Sequence, residues 1–159
     1  MPSGPVMKTR FRNYLIDTNL LRPLTDENHV LHPIVRAHYN LVHHDCLWIP
    51  VVAVVESLRG GVNSIKDGDP DRVVKRKYEL FLAYYDFLKQ HQVLPLGDEF
   101  STIKQPKTPK GVRDRRIASI ALAHKYTIAT FDVDDFETLG VPSEYLANWG
   151  ISQITDESS

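Results

Sequence analysis

Residues 114–132 read Asp114-Arg115-Arg116-Ile117-Ala118-Ser119-Ile120-Ala121-Leu122-Ala123-His124-Lys125-Tyr126-Thr127-Ile128-Ala129-Thr130-Phe131-Asp132. The first part is a helix over Asp114 to His124. Its Ile117, Ala118, Ile120, Ala121 and Leu122 recur at helical spacing and pack. Tyr126 to Phe131 follow with almost no gap. They read as a short apolar strand, closed by Asp132, with Asp134 and Asp135 just behind. A packed helix that feeds straight into a buried strand is the repeating unit of a parallel α/β fold.

Upstream, the same alternation continues. Residues 13–17, Asn13-Tyr14-Leu15-Ile16-Asp17, read as a short buried strand that ends in a carboxylate. Pro23 punctuates a turn, and His29 to His44 is mixed and helical. Cys46-Leu47-Trp48-Ile49 is a second strand. Pro50 suits the first position of a helix through Arg59, and Gly60-Gly61 suits its end. That helix is apolar almost all round, so burial is expected. Asp69 is placed as N-cap of the longest helix, opened by Pro70. Its Val74, Tyr78, Phe81, Leu82, Tyr85 and Leu88 fall on one expected buried face, which leaves Tyr84 and Phe87 as a contact surface for a partner. Val93-Leu94-Pro95-Leu96 is a third strand. Asp98 to Gly111, with its prolines and lysines, reads as a loop, and Leu146 to Ile154 as an edge strand. The expected organisation is a flexible N-terminus over 1–12, one domain over 13–154 and a polar tail over 155–159.

Composition excludes several classes. The chain has 159 residues, 42% hydrophobic and 25% charged, as in an ordinary globular domain. A single cysteine, Cys46, rules out an internal disulfide and any Cys-rich zinc module. It is expected to be inert and buried. No apolar run is long enough for a membrane helix, and Met1 to Arg12 lacks the apolar core of a secretory signal, so a cytoplasmic location is expected. The formal charge of −1 provides no global basic field for nucleic acid. The histidines His29, His32, His38, His43 and His44 read as surface or helix-face residues.

The acids are the informative residues. Asp17 and Asp132 end strands. Glu56 is the only charge in Pro50–Leu58, with Arg59 as a local partner, and Asp114 opens a packed helix. Taken singly, the aspartates read as caps or turns. In a parallel sheet, however, ligands bind beyond the carboxyl ends of the strands. If all four acids meet on that rim, they repel one another unless a cation is shared. Oxygen ligands of this kind suit Mg²⁺ or Mn²⁺.

The segments Leu15-Ile16-Asp17-Thr18-Asn19-Leu20-Leu21, Val55-Glu56-Ser57-Leu58-Arg59-Gly60 and Asp114 to Ala123, with Thr130-Phe131-Asp132-Val133-Asp134-Asp135-Phe136, carry a family likeness. Over about residues 13–149 the chain resembles PIN-domain nucleases, and more narrowly the VapC-type toxins of toxin–antitoxin pairs. The resemblance implies a three-layer α/β/α sandwich with a mostly parallel sheet, and a metal-dependent endoribonuclease. Asp17, Glu56 and Asp114 match the invariant acids of the family. Asp132 matches its fourth position, Asp135 a frequent further acid, and Thr130 a bracing hydroxyl, with Thr18 and Asn19 beside them. Two departures stand out: residues 100–112 are shortened and broken by proline, and position 113 is Arg.

On this reading Asp17, Asp114, Asp132 and Asp135 are the candidate metal ligands, for Mg²⁺ or Mn²⁺. Glu56 is a further ligand or an outer base that orients water. Lys110, Arg113, Arg115 and Arg116, with Lys104 and Lys107, form a local basic rim for RNA phosphates. Family members commonly cut tRNA, are held inactive by a cognate antitoxin and form homodimers. The alternatives are an inactive PIN-like scaffold that binds RNA or protein, and a housekeeping RNA-processing nuclease.

Overall fold

The computed structural model describes residues 12–42, 44–98, 103 and 108–145. Five strands alternate with helices. β1 (Tyr14–Ile16) leads to α1 (Thr18–Thr25) and α2 (His32–Tyr39). After a short 3-10 turn at His44–Cys46 come β2 (Leu47–Pro50), α3 (Val51–Ser64) and α4 (Asp71–Leu88). β3 (Gln92–Leu94), α5 (Pro109–His124), β4 (Thr127–Thr130), α6 (Val133–Thr138) and β5 (Ser143–Tyr145) complete the order. The sheet order is β3-β2-β1-β4-β5, and every neighbouring pair is parallel.

β1 is buried at every residue because both faces of the sheet are covered. The strand period of two sorts its side chains. Tyr14 and Ile16 join Leu20, Leu24, Val35, Ile49 and Phe87 under α1, α2 and α4. Leu15 points the other way, into Ile117, Ile120, Ile128 and Phe136 under α5 and α6. This is a three-layer α/β/α sandwich. The chain first builds outward from β1 to β2 and β3, then returns to place β4 on the other side of β1. β1 and β4 therefore flank the point where strand order reverses, the place beyond the strands' carboxyl ends where parallel α/β sheets bind ligands.

Four expectations are corrected. First, α3 does not stop at Gly60-Gly61 but runs to Ser64, and it is only half-buried: Val55, Leu58 and Val62 are exposed. Glycine weakens a helix, yet Gly61 permits a close approach, since a Cβ there would lie 3.4 Å from the Phe81 ring. Second, the buried face of α4 is not the one expected. Tyr84 and Phe87, read as a contact surface, are 7% and 4% exposed, while Tyr78, Phe81, Leu82 and Tyr85 lie outside. Both stripes have helical spacing. They differ by a one-residue rotation, about 100°. Leu82→Ala should accordingly change stability by less than about 0.5 kcal/mol in urea denaturation, and a loss of about 2 kcal/mol would restore the expected face.

Third, Asp69 is not the cap of α4; Pro70 is, and Asp69 instead accepts from the Lys66 backbone N–H at 2.9 Å and pairs with Lys77 at 2.7 Å. Fourth, α5 begins at Pro109 rather than at Asp114. The Thr108 hydroxyl accepts from the Gly111 N–H at 3.1 Å, a side-chain N-cap followed by proline at the first helical position. Asp114 thus stands inside the helix and caps nothing. Among smaller differences, the helix expected over His29–His44 is confined to His32–Tyr39. Cys46 is half-buried rather than buried, and burial pushes its thiol pKa up, which keeps it a poor nucleophile. Among the described residues the sheet has β3 at one edge and β5 at the other, β5 following a turn in which Gly140 takes φ 78°. The expected strand over Leu146–Ile154 lies outside the described residues, as do the terminal segments 1–11 and 155–159, His43, Lys104 and Lys107. No helix of the described residues is long and apolar enough to cross a membrane.

Candidate active site

Asp17 follows β1 and is the N-cap of α1: its Oδ1 accepts from the Thr18 N–H at 2.7 Å. Its backbone N–H donates to Ala129 O at 3.0 Å, which extends the β1–β4 ladder to the rim. Thr130, at the end of β4 and fully buried, is the junction of the site. Its hydroxyl donates to Asp17 Oδ2 at 2.7 Å and accepts from the Asp132 N–H at 2.9 Å and from Asn19 Nδ2 at 3.4 Å. Asn19 Nδ2 also donates to Asp132 Oδ2 at 3.1 Å. These bonds join Thr130 and Asn19 to Asp17 and Asp132. Thr18 contributes its N–H, while its hydroxyl is buried without a hydrogen-bond partner.

Asp114, in the second turn of α5, is an electrostatic neighbour of Asp17. Asp17 is 5% exposed and Asp114 9%. Burial, first of all, pushes the Asp17 carboxyl up to about 7, against the Thr130 hydrogen bond and with help from Asp114 and Asp132. Burial likewise raises Asp114 to about 6, with Asp135 and Asp132 adding repulsion and Lys110 and Arg113 opposing it. The four aspartates 17, 114, 132 and 135 therefore share one electrostatic neighbourhood.

Two cations of α5 are committed to its acids. Lys110 Nζ lies 2.8 Å from Asp135 Oδ2 and 3.2 Å from Asp132 Oδ2, and these carboxylates push its pKa up. Arg113 Nη1 donates to Glu56 Oε2 at 3.4 Å. Arg113, not Arg59, is thus the partner of Glu56 in the structure, and Glu56 Oε1 is buried without a partner. Arg115 donates from Nε to Ile103 O at 2.8 Å, and Arg116 is exposed. The sequence alone suggests for Lys110 only a phosphate-binding role. The Thr108-Pro109 start signal would have placed it four residues before Asp114, on the same face of a helix.

Among the described residues, no group of three or more His, Cys, Asp or Glu is arranged as a ready metal cage. The histidines stay apart from the acids. His32 Nδ1 contacts Pro23 O at 2.7 Å, and the His44 ring stacks on His91 at 4.5 Å. The oxygen donors of Asp17 and Asp114 nevertheless suit a hard cation. Both are buried, both are held from easy ionisation, and neither has a positive partner within ion-pair distance among the described residues.

The chain matches no protein-family model and no curated protein. Solved structures do match it. FitAcB from Neisseria gonorrhoeae superposes with a TM-score of 0.64 at 23% identity, over 84% of this chain and 98% of that one. The fold is PIN-like. DNA-bound VapBC from Salmonella typhimurium matches this PIN-like chain with a TM-score of 0.61 at 18% identity, over 86% and 99% of the two chains. VapBC-1 from nontypeable Haemophilus influenzae matches with a TM-score of 0.60 at 16% identity, over 84% and 98%. At these identities the likeness establishes the architecture, and the PIN-like domain spans nearly the whole of each matched chain.

Proposed function

We propose that this PIN-like chain is a Mg²⁺- or Mn²⁺-dependent endoribonuclease, the VapC-type toxin of a toxin–antitoxin pair, working in the cytoplasm. The observation that carries the reading is the Asp17–Asp114 pair. They are two buried carboxylates from different elements, near enough for Asp114 to raise the Asp17 pKa, with no cation of the described residues at ion-pair distance. Such a pair is unfavourable by itself and becomes favourable when a dication binds. Asp132 and Asp135 add negative charge beside the pair and are in contact with Lys110. A bound dication supplies Lewis acidity toward a phosphodiester and lowers the pKa of water.

The protein's own side chains do the rest. Thr130 and the Thr18 N–H fix both oxygens of Asp17, so the carboxylate cannot turn away from the crevice. Glu56 keeps one buried oxygen free to orient a water, while Arg113 holds the other. Arg116 is exposed and offers positive charge to an RNA backbone, next to Arg113 and Lys110, which are paired with acids; Arg115 donates to Ile103 O. No protein nucleophile is required.

A partner protein fits the rest of the surface. A cavity of about 720 Å³ lies between α1, α3 and α4. Its lining includes Thr18, next to Asp17, together with Leu21, Leu80, Phe81, Arg22 and Arg72. An antitoxin segment with apolar and acidic side chains suits it. The exposed Val55, Leu58 and Val62 of α3 suit a second subunit.

Purified protein is expected to cleave total RNA, or a tRNA pool, when Mn²⁺ or Mg²⁺ is present and to stop when chelator is added, with activity restored by excess metal. RNA binding without metal-dependent turnover would favour the scaffold reading instead.

A further inference from the structure

We infer that Lys110 is a built-in second cation of the acid cluster, so that the site takes one divalent ion, at Asp17 and Asp114, rather than two. The inference rests on the metal-dependent reading above and specifies its stoichiometry. Lys110 and Arg113 stand four residues and one residue before Asp114 on α5. Each reaches across to acids on another element: Lys110 to Asp132 and Asp135 at the β4–α6 end, Arg113 to Glu56 on α3. The acids thereby divide into two groups. Asp132 and Asp135 are neutralised in part by an ammonium at ion-pair distance, and Glu56 by a guanidinium. Asp17 and Asp114 are left without a cation at ion-pair distance among the described residues, whereas the other three acids each have one.

A second dication bridging Asp132 and Asp135 would have to take the Oδ2 atoms that Lys110 already holds at 3.2 and 2.8 Å. It would also sit within a few ångströms of an ammonium. Like charges at that separation repel, with water screening part of the effect because Lys110, Asp132 and Asp135 are 53%, 40% and 44% exposed. The Thr108 cap and Pro109 fix the first turn of α5, and Lys110 lies on the Asp114 side of that turn. Lys110 is thus a positioning and stoichiometry-setting residue, distinct from the carboxylates that hold the ion.

The test is Mn²⁺ binding to the full-length chain at pH 7.5, followed by the electron paramagnetic resonance signal of free Mn²⁺. Wild type should bind one ion per chain. Lys110→Met should bind a second ion, or bind the first at least 10-fold more tightly, and Lys110→Arg should stay at one. Two ions in wild type, or identical isotherms for wild type and Lys110→Met, would overturn the inference while leaving the metal-dependent reading in place. No binding by any of the proteins would overturn both. Should Lys110→Met fail to fold, the wild-type stoichiometry decides alone.

Discussion

Asp114→Asn should reduce metal-dependent RNA cleavage by roughly 1,000-fold or more, about 4 kcal/mol of barrier, with the protein still folded. The substitution keeps the shape of the side chain and deletes one of the two carboxylates that have no cation partner. No hydrogen bond of the described residues depends on the Asp114 carboxylate, so little structure is lost with the charge. Asp17→Asn should be comparably inactive but less clean, because an amide nitrogen facing the Thr130 hydroxyl breaks the 2.7 Å bond to Asp17 Oδ2. A single-turnover assay on one defined RNA checks this. Cleavage by Asp114→Asn within 10-fold of wild type would remove the residue from the catalytic machinery.

Thr130→Val should be the most damaging neutral substitution in the site. The residue is fully buried, and valine matches its shape. What disappears is the hydroxyl that joins β1, α1 and the start of α6. Asp17 Oδ2 and the Asp132 N–H lose their partners, while Asn19 retains its bond to Asp132. Each buried polar group left unpaired costs about 1–3 kcal/mol, so a loss of about 2–6 kcal/mol is expected in urea denaturation. Thr130→Ser keeps the hydroxyl and should recover most of it. Equal losses for valine and serine would mean that packing of the methyl group matters, not the hydrogen bonds.

The acids were legible because charge in an apolar run has few explanations. Asp17 after Tyr14-Leu15-Ile16 and Asp132 after the β4 segment mark strand ends that must reach solvent or a ligand. The parallel sheet was legible from the close succession of α5 and β4. The inner face of α4 was not legible, because apolar residues occupy most of its circumference. Val73, Leu80, Tyr84 and Phe87 form as good a stripe as the one expected. Which stripe turns inward depends on how α4 meets α1 and the sheet, a tertiary fact. The start of α5 is hidden for a different reason: the prolines around it have the composition of a loop, although Pro109 occupies the first helical turn, which tolerates proline. The cation partners of the acids followed from that start, and so Lys110 and the Arg113–Glu56 pair emerged only with the fold.

The most direct measurement is the melting temperature of metal-free protein across pH, wild type against Asp114→Asn. The Asp114 pKa is raised on folding, from 3.8 to about 6, so the folded state holds this proton more tightly than the unfolded state. Wild-type stability should therefore fall as pH rises from about 4 to 6, relative to the variant, and the gap should persist at pH 7.5. Adding Mn²⁺ at pH 7.5 should raise the wild-type melting temperature and leave Asp114→Asn nearly unmoved. Parallel pH profiles for the two proteins, with no response of wild type to Mn²⁺, would contradict the claim that these carboxylates share a crevice built to hold a dication.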